Sequence, residues 1–200
     1  MRKVSAVVAG LLVVACGSPA LRADLAYFEG TGHYYELVQE YGLTWDEARA
    51  GAQSRGSSAD LATITSAEEN AFIADNVLVE VETHGYWLGG YQPPDSDEPD
   101  VDWQWVTGEP WSYTNWNAGG TTEPNDLHDG EEYPFEDWLE IYAESRYWGK
   151  WNDLHKNRPF VAGYIVEYAT APPGAPAPGA AFLGLIGLGM VACFRKRRAV

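Results

Sequence analysis

The stretch Leu43–Ile73, LTWDEARAGAQSRGSSADLATITSAEENAFI, decides the fold. It contains two helix starts of one kind: Thr44 with Glu47, and Ser66 with Glu69. In each, a hydroxyl residue stands three positions ahead of a glutamate. At that spacing the hydroxyl accepts from a helical amide and the glutamate reaches back to the cap. Trp45, Ala48 and Ala52 give the first helix an apolar face, and Gly56 marks its stop. Phe72, Ile73 and Val77 face inward from the second, which is expected within SAEENAFIADNVLVE. Between the helices, ADLATIT reads as a short extended piece.

Outward from this stretch the helical period disappears. Upstream, GHYYELVQEY (32–41) alternates as an opening strand. Downstream, GYWLGGY (85–91), VDWQWVTG (101–108), DWLEIYA (137–143), YWGKW (147–151) and AGYIVEY (162–168) read as further strands. A long segment rich in Gly, Asn and Pro runs from Gly108 to about Pro134. A loop of that length within a packed domain is usually functional or disordered. Toward its end, TEPNDLHDGEEYPFEDWLEIY (122–142) holds eight carboxylates between Glu123 and Glu140 and no Lys or Arg. Such crowding is tolerable only with solvent, disorder or a cation. Nine Trp and twelve Tyr, all between Tyr27 and Tyr168, argue for a folded body.

The ends differ from this body. Residues 1–23 carry Arg2 and Lys3, an apolar run and the exit SPALRA, the layout of a secretory signal peptide. Acylation at Cys16, as in a lipoprotein, is the alternative. Residues 171–179 read as a Pro/Gly/Ala linker, TAPPGAPAPGA at its widest. Residues 180–200 join an apolar segment to the basic cluster RKRR. That order resembles the C-terminal sorting tails recognised by exosortase-type processing systems; a plain membrane anchor is the alternative. Both readings imply export, to the cell surface or extracellular matrix, with membrane contact only through the C-terminal segment before processing.

Without its ends, the body at 24–170 has six basic against 29 acidic residues, a net of about −23. That charge excludes nucleic acid as a partner and suits divalent cations and neutral ligands. Cys16 and Cys193 both fall in the end segments, so the body has no cysteine. Glu123 and Asn125 flank Pro124, Glu136 and Asp137 open a strand, and Asn152 and Asp153 follow Trp151. Carboxylates and amide carbonyls are the oxygen donors that calcium takes, six to eight at a time. Zinc is disfavoured, because the body lacks cysteine and its four His are scattered.

The motifs LTWDEARAGAQSRGSSADLATITSAEENAFI, YWLGG, WQWVTGEPWSYTNW, EPND, FEDW, GKWND and GYIVEY, in this order, resemble the C-type lectin domain. The resemblance covers about Gly32 to Tyr168 and implies an α+β fold: two helices packed on antiparallel sheets, with a long calcium-binding loop. It also implies that Glu123, Asn125, Glu136, Asn152 and Asp153 form the principal calcium site, with a cis peptide before Pro124. In the family, two adjacent sugar hydroxyls complete the calcium shell, each donating to a carboxylate and accepting from an Asn amide. The implied carbohydrate-binding residues are Glu123, Asn125, Glu136 and Asn152. Their Glu-Pro-Asn order implies mannose-like glycans, whereas Gln-Pro-Asp implies galactose. The expected function is a calcium-dependent lectin; the alternative is a calcium-stabilised surface protein that binds proteins.

The chain departs from the family pattern in places. Trp138 and Val166 stand where cysteines are usual, so aromatic packing is expected to replace disulfides. The spacing from Asn125 to Glu136 is several residues longer than in typical animal lectins, which lets Glu131 or Glu132 substitute as a ligand. Asp126 and Asp137, with Glu136 and a partner in QPPDSDEPD (92–100), are candidates for an auxiliary metal site. Trp87, Trp103, Trp105 and Trp151 are expected in the core, while one of Trp111, Trp116 or Trp148 could stack on a sugar. His128 reads as surface decoration. No nucleophile with an adjacent base is visible and nothing sets Glu131 and Glu136 across a cleft, so no enzyme is expected.

Overall fold

Helix α1 (Trp45–Gln53) starts where the sequence expects. Thr44 Oγ1 accepts from the Glu47 amide at 3.2 Å, and Glu47 Oε2 accepts from the Thr44 amide at 2.9 Å. The helix is capped at Ser54, two residues before the expected stop at Gly56. Helix α2 (Ala67–Asn76) is capped by Ser66, but only half of its box forms. Glu69 turns inward instead, accepting from the Thr65 amide at 2.7 Å and from the buried Tyr35 hydroxyl at 2.5 Å. Burial decides this: a Tyr hydroxyl inside the core needs an acceptor, and Glu69 is the nearer of two, Glu167 Oε1 standing at 3.3 Å.

The computed structural model describes residues 25–176 and 178, apart from 83, 95, 97, 98 and 128–134. The expected signal peptide at 1–23, the tail at 180–200, His128, Glu131 and Glu132 lie outside the described residues. Among the described residues no helix is long and apolar enough to cross a membrane.

Among the described residues, eight strands form one sheet: β1 (Leu25–Phe28), β2 (His33–Gln39), β3 (Ala59–Leu61), β4 (Gly85–Tyr91), β5 (Gln104–Trp105), β6 (Trp138–Tyr142), β7 (Trp151–Leu154) and β8 (Gly163–Tyr168). Their order is β1-β2-β8-β4-β6-β7, with β3 beside β8 and β5 beside β4. The sheet is mixed rather than purely antiparallel, because β4 and β8 pair in parallel through Tyr86–Gly163 and Trp87–Tyr164. The β2–β8 register, Tyr34 to Tyr168, brings the two ends of the domain side by side. Part of the expected linker also lies against this edge: Pro172 is buried, and the Tyr34 hydroxyl donates to the Pro176 carbonyl at 3.2 Å.

Two expected strands shrink. Of VDWQWVTG only Gln104 and Trp105 pair. YWGKW is mostly turn, since Gly149 has φ 72° and the 147, 149 and 150 amides bond locally. The strand begins only at Trp151, and the short strand β1 is an addition to the expected set. Within β4, Trp87 pairs with Glu140 and Tyr91 with Trp138, so a bulge falls at Leu88-Gly89-Gly90. There the Gly89 amide turns to the Ala62 carbonyl at 2.8 Å. A Cβ on Gly90 would sit 2.7 Å from the Leu139 side chain, so glycine permits the bulge.

The core has two parts. Trp103, Trp105, Trp151, Tyr86 and Ile73 pack under α2 and the long loop, and Trp45, Trp87, Leu61, Tyr164 and Val166 pack under α1. The buried indoles of Trp45, Trp87 and Trp151 find acceptors on the Leu88 carbonyl (2.8 Å), the Leu43 carbonyl (3.0 Å) and Asn70 Oδ1 (2.7 Å), whereas the Trp105 indole N–H has none among the described residues. Val166 is fully buried, and Trp138 meets His155 edge-on at 5.8 Å with Lys156 above its ring. Apolar and aromatic contacts thus occupy the two positions at which the resemblance puts cysteines.

Candidate metal centre

The long loop between β5 and β6 is stitched to β7. The Asn117 amide donates to the Trp151 carbonyl at 2.9 Å, and the Trp151 amide donates to the Asn115 carbonyl at 3.0 Å. The Glu123 amide donates to the Asn117 carbonyl at 2.8 Å, which brings the Glu-Pro-Asn turn over the strand. The Glu123–Pro124 peptide is cis.

Around this turn the side chains form one hydrogen-bonded knot. Glu123 Oε1 accepts from the Thr121 hydroxyl at 2.6 Å, and Glu123 Oε2 accepts from Asn125 Nδ2. Asp153 Oδ2 accepts from the backbone amides of Asn125 (2.9 Å) and Asp126 (2.7 Å). Glu136 Oε2 accepts from the Leu127 amide at 3.1 Å, and Asp126 Oδ1 accepts from the Glu136 amide at 2.9 Å. Arg158 Nη2 stands 3.8 Å from Glu136 Oε1. Backbone amides, fixed in place by the fold, thus aim several acids at one another.

The knot gathers Glu123, Asn125, Asp126, Glu136 and Asp153. Asn152 belongs to a second network behind it. Its Nδ2 donates to Glu140 Oε1 at 3.0 Å, and His84 Nδ1 donates to the same oxygen at 2.8 Å. Glu140 is completely buried, and its Oε2 has no partner. Glu140, His84, Thr121 and Arg158 are partners around the site that no sequence motif singles out. Glu140 left a signal, a charged residue inside the otherwise apolar strand WLEIY, which a folded chain keeps only with partners. Asp137 lies close enough to feel the charge of Asp126, but among the described residues its side chain takes no part in the knot's hydrogen bonds; its carbonyl accepts from the Gln92 amide at 2.8 Å.

The electrostatics follow from burial. Glu136 is raised from its ordinary value to about 8, first by burial and then by the charges of Asp153 and Glu123. Asp153 is also raised, by burial and by Glu123, against the lowering effect of its two amide donors. Burial and Asp126 raise Asp137 to about 6. Without a counter-ion this knot therefore retains protons near neutral pH.

Among the described residues, no three His, Cys, Asp or Glu side chains converge into a ready-made metal cage. The donor set nevertheless fits a hard cation. Asn125 Oδ1 and Asp153 Oδ1 are buried oxygens with no hydrogen-bond partner. Unpartnered buried acceptors are costly and rare. These two belong to residues of the ligand type that calcium prefers, within an acidic neighbourhood short of positive charge.

A pH dependence follows. Between about 4.5 and 8 the folded chain holds a proton on Glu136 that the unfolded chain has lost. Raising the pH through that window therefore destabilises the metal-free fold. His33 and His84, both raised by their carboxylate partners, act in the same direction. The Glu136→Gln variant isolates the acid's part. Thermal unfolding in chelator is expected to show a midpoint that falls from pH 5 to pH 8 by several degrees more in the unsubstituted chain than in the variant. Parallel midpoint curves would show that Glu136 is not burdened in this way.

The Lectin C-type domain family model matches residues 41–161. Halomucin of Haloquadratum walsbyi is 32% identical over 143 residues, which are 68% of this chain but 1% of that protein. C-type lectin lectoxin-Phi1 of Philodryas olfersii is 28% identical over 153 residues, 74% of this chain and 89% of that one. Among solved structures, the cow C-type carbohydrate-recognition domain of CD23, crystallised in the presence of a GlcNAc2Man3 oligosaccharide, superposes with a TM-score of 0.54 at 23% identity. That match covers 74% of this chain and 95% of the CD23 chain.

Proposed function

We propose that this chain, which belongs to the C-type lectin family, is an exported calcium-dependent carbohydrate-binding protein that takes mannose-like sugars. The observation that carries the reading is the pair of buried, unpartnered oxygens, Asn125 Oδ1 and Asp153 Oδ1, inside the acidic knot. Glu123, Asn125, Glu136, Asn152 and Asp153 would hold calcium, with Asp126 and Asp137 as candidates for an auxiliary ion. A bound calcium ion would offer open coordination positions to two vicinal sugar hydroxyls. The chain's own part is to hold the surrounding acceptors and donors. Asp153 is pinned by two backbone amides, Glu123 by Thr121, and the Asn152 amide by Glu140. Carboxylate oxygens would then accept from the sugar hydroxyls while Asn amide groups donate to them.

The Glu-Pro-Asn order supports mannose-type over galactose-type sugars, and the CD23 domain's crystallisation with a mannose-containing oligosaccharide is consistent with that choice. The layouts of residues 1–23 and 180–200 support export and display at the cell surface or in the extracellular matrix. Single-site calcium affinity is expected on the order of 10⁻⁴ to 10⁻³ M, as in other extracellular modules. Sugar binding at one site is weak as well, so display of many copies would supply avidity.

A second reading has its own observation. Leu127 and Phe135 flank the site with about half of their surface exposed, which suits a protein partner on a calcium-stiffened surface. Calorimetry separates the two. Calcium and then methyl mannoside are titrated into the chain and into a Glu123→Gln, Asn125→Asp variant. Calcium binding followed by mannoside binding, both weakened in the variant, is the expected result. Calcium binding with no response to free sugar would favour the protein-binding reading. No calcium binding at all would overturn both.

A further inference from the structure

A cavity of about 630 Å³ opens beside the metal centre. It shares Asn117 with that centre, the residue whose carbonyl accepts from the Glu123 amide. Its lining is unlike the rest of the surface. Trp116, Tyr147 and Trp148 contribute aromatic rings, Arg146 and Lys150 contribute charge, and among the described residues no acidic one lines it.

The charge is unusual for this chain. The body has six basic residues against 29 acidic ones. Among the described residues, four of the six pair with carboxylates: Arg49 with Asp60 (3.3 Å), Arg55 with Glu36 (2.6 Å), Lys156 with Asp46 (2.8 Å) and Arg158 with Glu136 (3.8 Å). Arg146 and Lys150 do not. Arg146 lies over the Tyr147 ring with its guanidinium carbon 4.8 Å from the centroid. Lys150 donates to the neutral Asn115 Oδ1 at 2.8 Å. Two exposed cations that ignore so many available carboxylates, and that line one cavity together, make a local positive field on a polyanion.

The backbone is fitted to the cavity too. Gly120 has φ 101°, and a Cβ there would stand 2.5 Å from the Tyr147 hydroxyl. Glycine therefore lets the loop approach the ring. Flat rings with a planar guanidinium beside them suit a ligand that has an apolar face and an anionic group.

We propose that this cavity is a subsite for an anionic sugar unit, bearing a carboxylate or a sulfate ester, within the glycan held at the metal centre. The inference rests on the glycan-binding reading given above and deepens it to acidic glycans. Arg146 and Lys150 recognise the anion, and the aromatic rings pack against the sugar's apolar face. Specificity then has two parts: the metal centre reads a hydroxyl pair, and the cavity reads the charge next to it.

The test uses three tetrasaccharides with one β-1,4 linkage: mannuronate, its carboxyl-reduced neutral form, and the neutral form sulfated at the 6-position. Each is titrated into the full chain at saturating calcium, and into an Arg146→Gln, Lys150→Gln variant. The full chain is expected to bind at least one anionic form about tenfold more tightly than the neutral form, the gain of one charge-assisted contact. The tighter of the two identifies the anion as carboxylate or sulfate. The variant should bring all three within about twofold while leaving the neutral sugar's affinity unchanged. Since the body repels polyanions, a general charge effect would act in the opposite direction. Equal affinity for all three in the full chain, or an anionic preference that survives in the variant, overturns the subsite and leaves the lectin reading intact. Binding of none of the three overturns both.

Discussion

Asp153→Asn is expected to weaken calcium binding by more than 100-fold and, at the same time, to stabilise the calcium-free chain above pH 7. Asp153 Oδ2 accepts from two backbone amides, while its Oδ1 is buried without a partner. Asparagine can keep the first role with its carbonyl. It then places an NH₂ group where the free oxygen was, so the cation meets donor hydrogens instead of a charge. Losing an outer partner of a metal site commonly costs about 10–100-fold in affinity. Losing a charged ligand should exceed that. In the metal-free chain the sign reverses, because Asp153 is one of the charges that push Glu136 up to about 8. Removing it relieves Glu136 above neutral pH, where the unsubstituted site must otherwise carry both charges. Calorimetry with calcium and thermal unfolding in chelator at pH 8 check the two halves. Unchanged calcium affinity would place the ion elsewhere. A lower unfolding midpoint in chelator would mean that Asp153 serves mainly to hold the two amides.

Trp151→Ala is expected to cost about 4 kcal/mol of stability, with a fall in unfolding midpoint of roughly 10 °C. The ring is fully buried. Trp105, Tyr113 and Trp116 meet it edge-on at 5.7, 5.5 and 5.8 Å, so alanine would leave a cavity bounded by rigid neighbours that collapse poorly. The indole N–H also donates to Asn70 Oδ1 at 2.7 Å, and Asn70 is itself buried. Truncation thus adds an unsatisfied amide oxygen to the lost packing. A domain of ordinary stability, about 5–15 kcal/mol, is brought close to unfolding by such a loss. Trp151→Phe should recover much of the packing and none of the hydrogen bond. Denaturant unfolding in chelator measures both variants. A loss below about 1 kcal/mol for the alanine variant would show that the loop's anchorage lies elsewhere than in this aromatic cluster.

The two predictions meet on β7. Trp151 packs in the aromatic core, and the next two residues are Asn152 and Asp153 of the proposed metal site. Loop position and ligand position therefore depend on one strand. A stability loss at Trp151 is expected to lower calcium affinity as well, whereas Asp153→Asn should lower affinity without unfolding the chain. Measuring both quantities in both variants distinguishes a disordered site from a discharged one.

Much of the fold was legible because its signals are local. A hydroxyl three residues before a glutamate starts α1 wherever the segment lies, and GYWLGGY and AGYIVEY carry their strand character within seven residues each. The chemical type of the site was legible for the same reason: Glu-Pro-Asn, Glu136 and Asn152-Asp153 are oxygen donors whatever surrounds them. Order and residue type were enough to read these oxygen-bearing groups and the fold that carries them.

The remaining features depend on residues far apart in the chain. Glu69 of α2 turns from its cap to accept from the buried hydroxyl of Tyr35 on β2 and from the Thr65 amide. The parallel pairing of β4 with β8 is visible only once both ends of the domain have come together. Asn152 and Asp153 are neighbours in sequence yet make different hydrogen bonds, Asn152 to Glu140 opposite it on β6 and Asp153 to the loop amides of Asn125 and Asp126. The raised Glu136 and the uncompensated Arg146 and Lys150 are likewise matters of distance: charge acts through space and burial amplifies it. Sequence alone determined which oxygen-bearing and charged groups this protein has for the proposed cation and sugar site. The tertiary structure decided which of their atoms are held and which are left free, because that depends on contacts no local stretch contains.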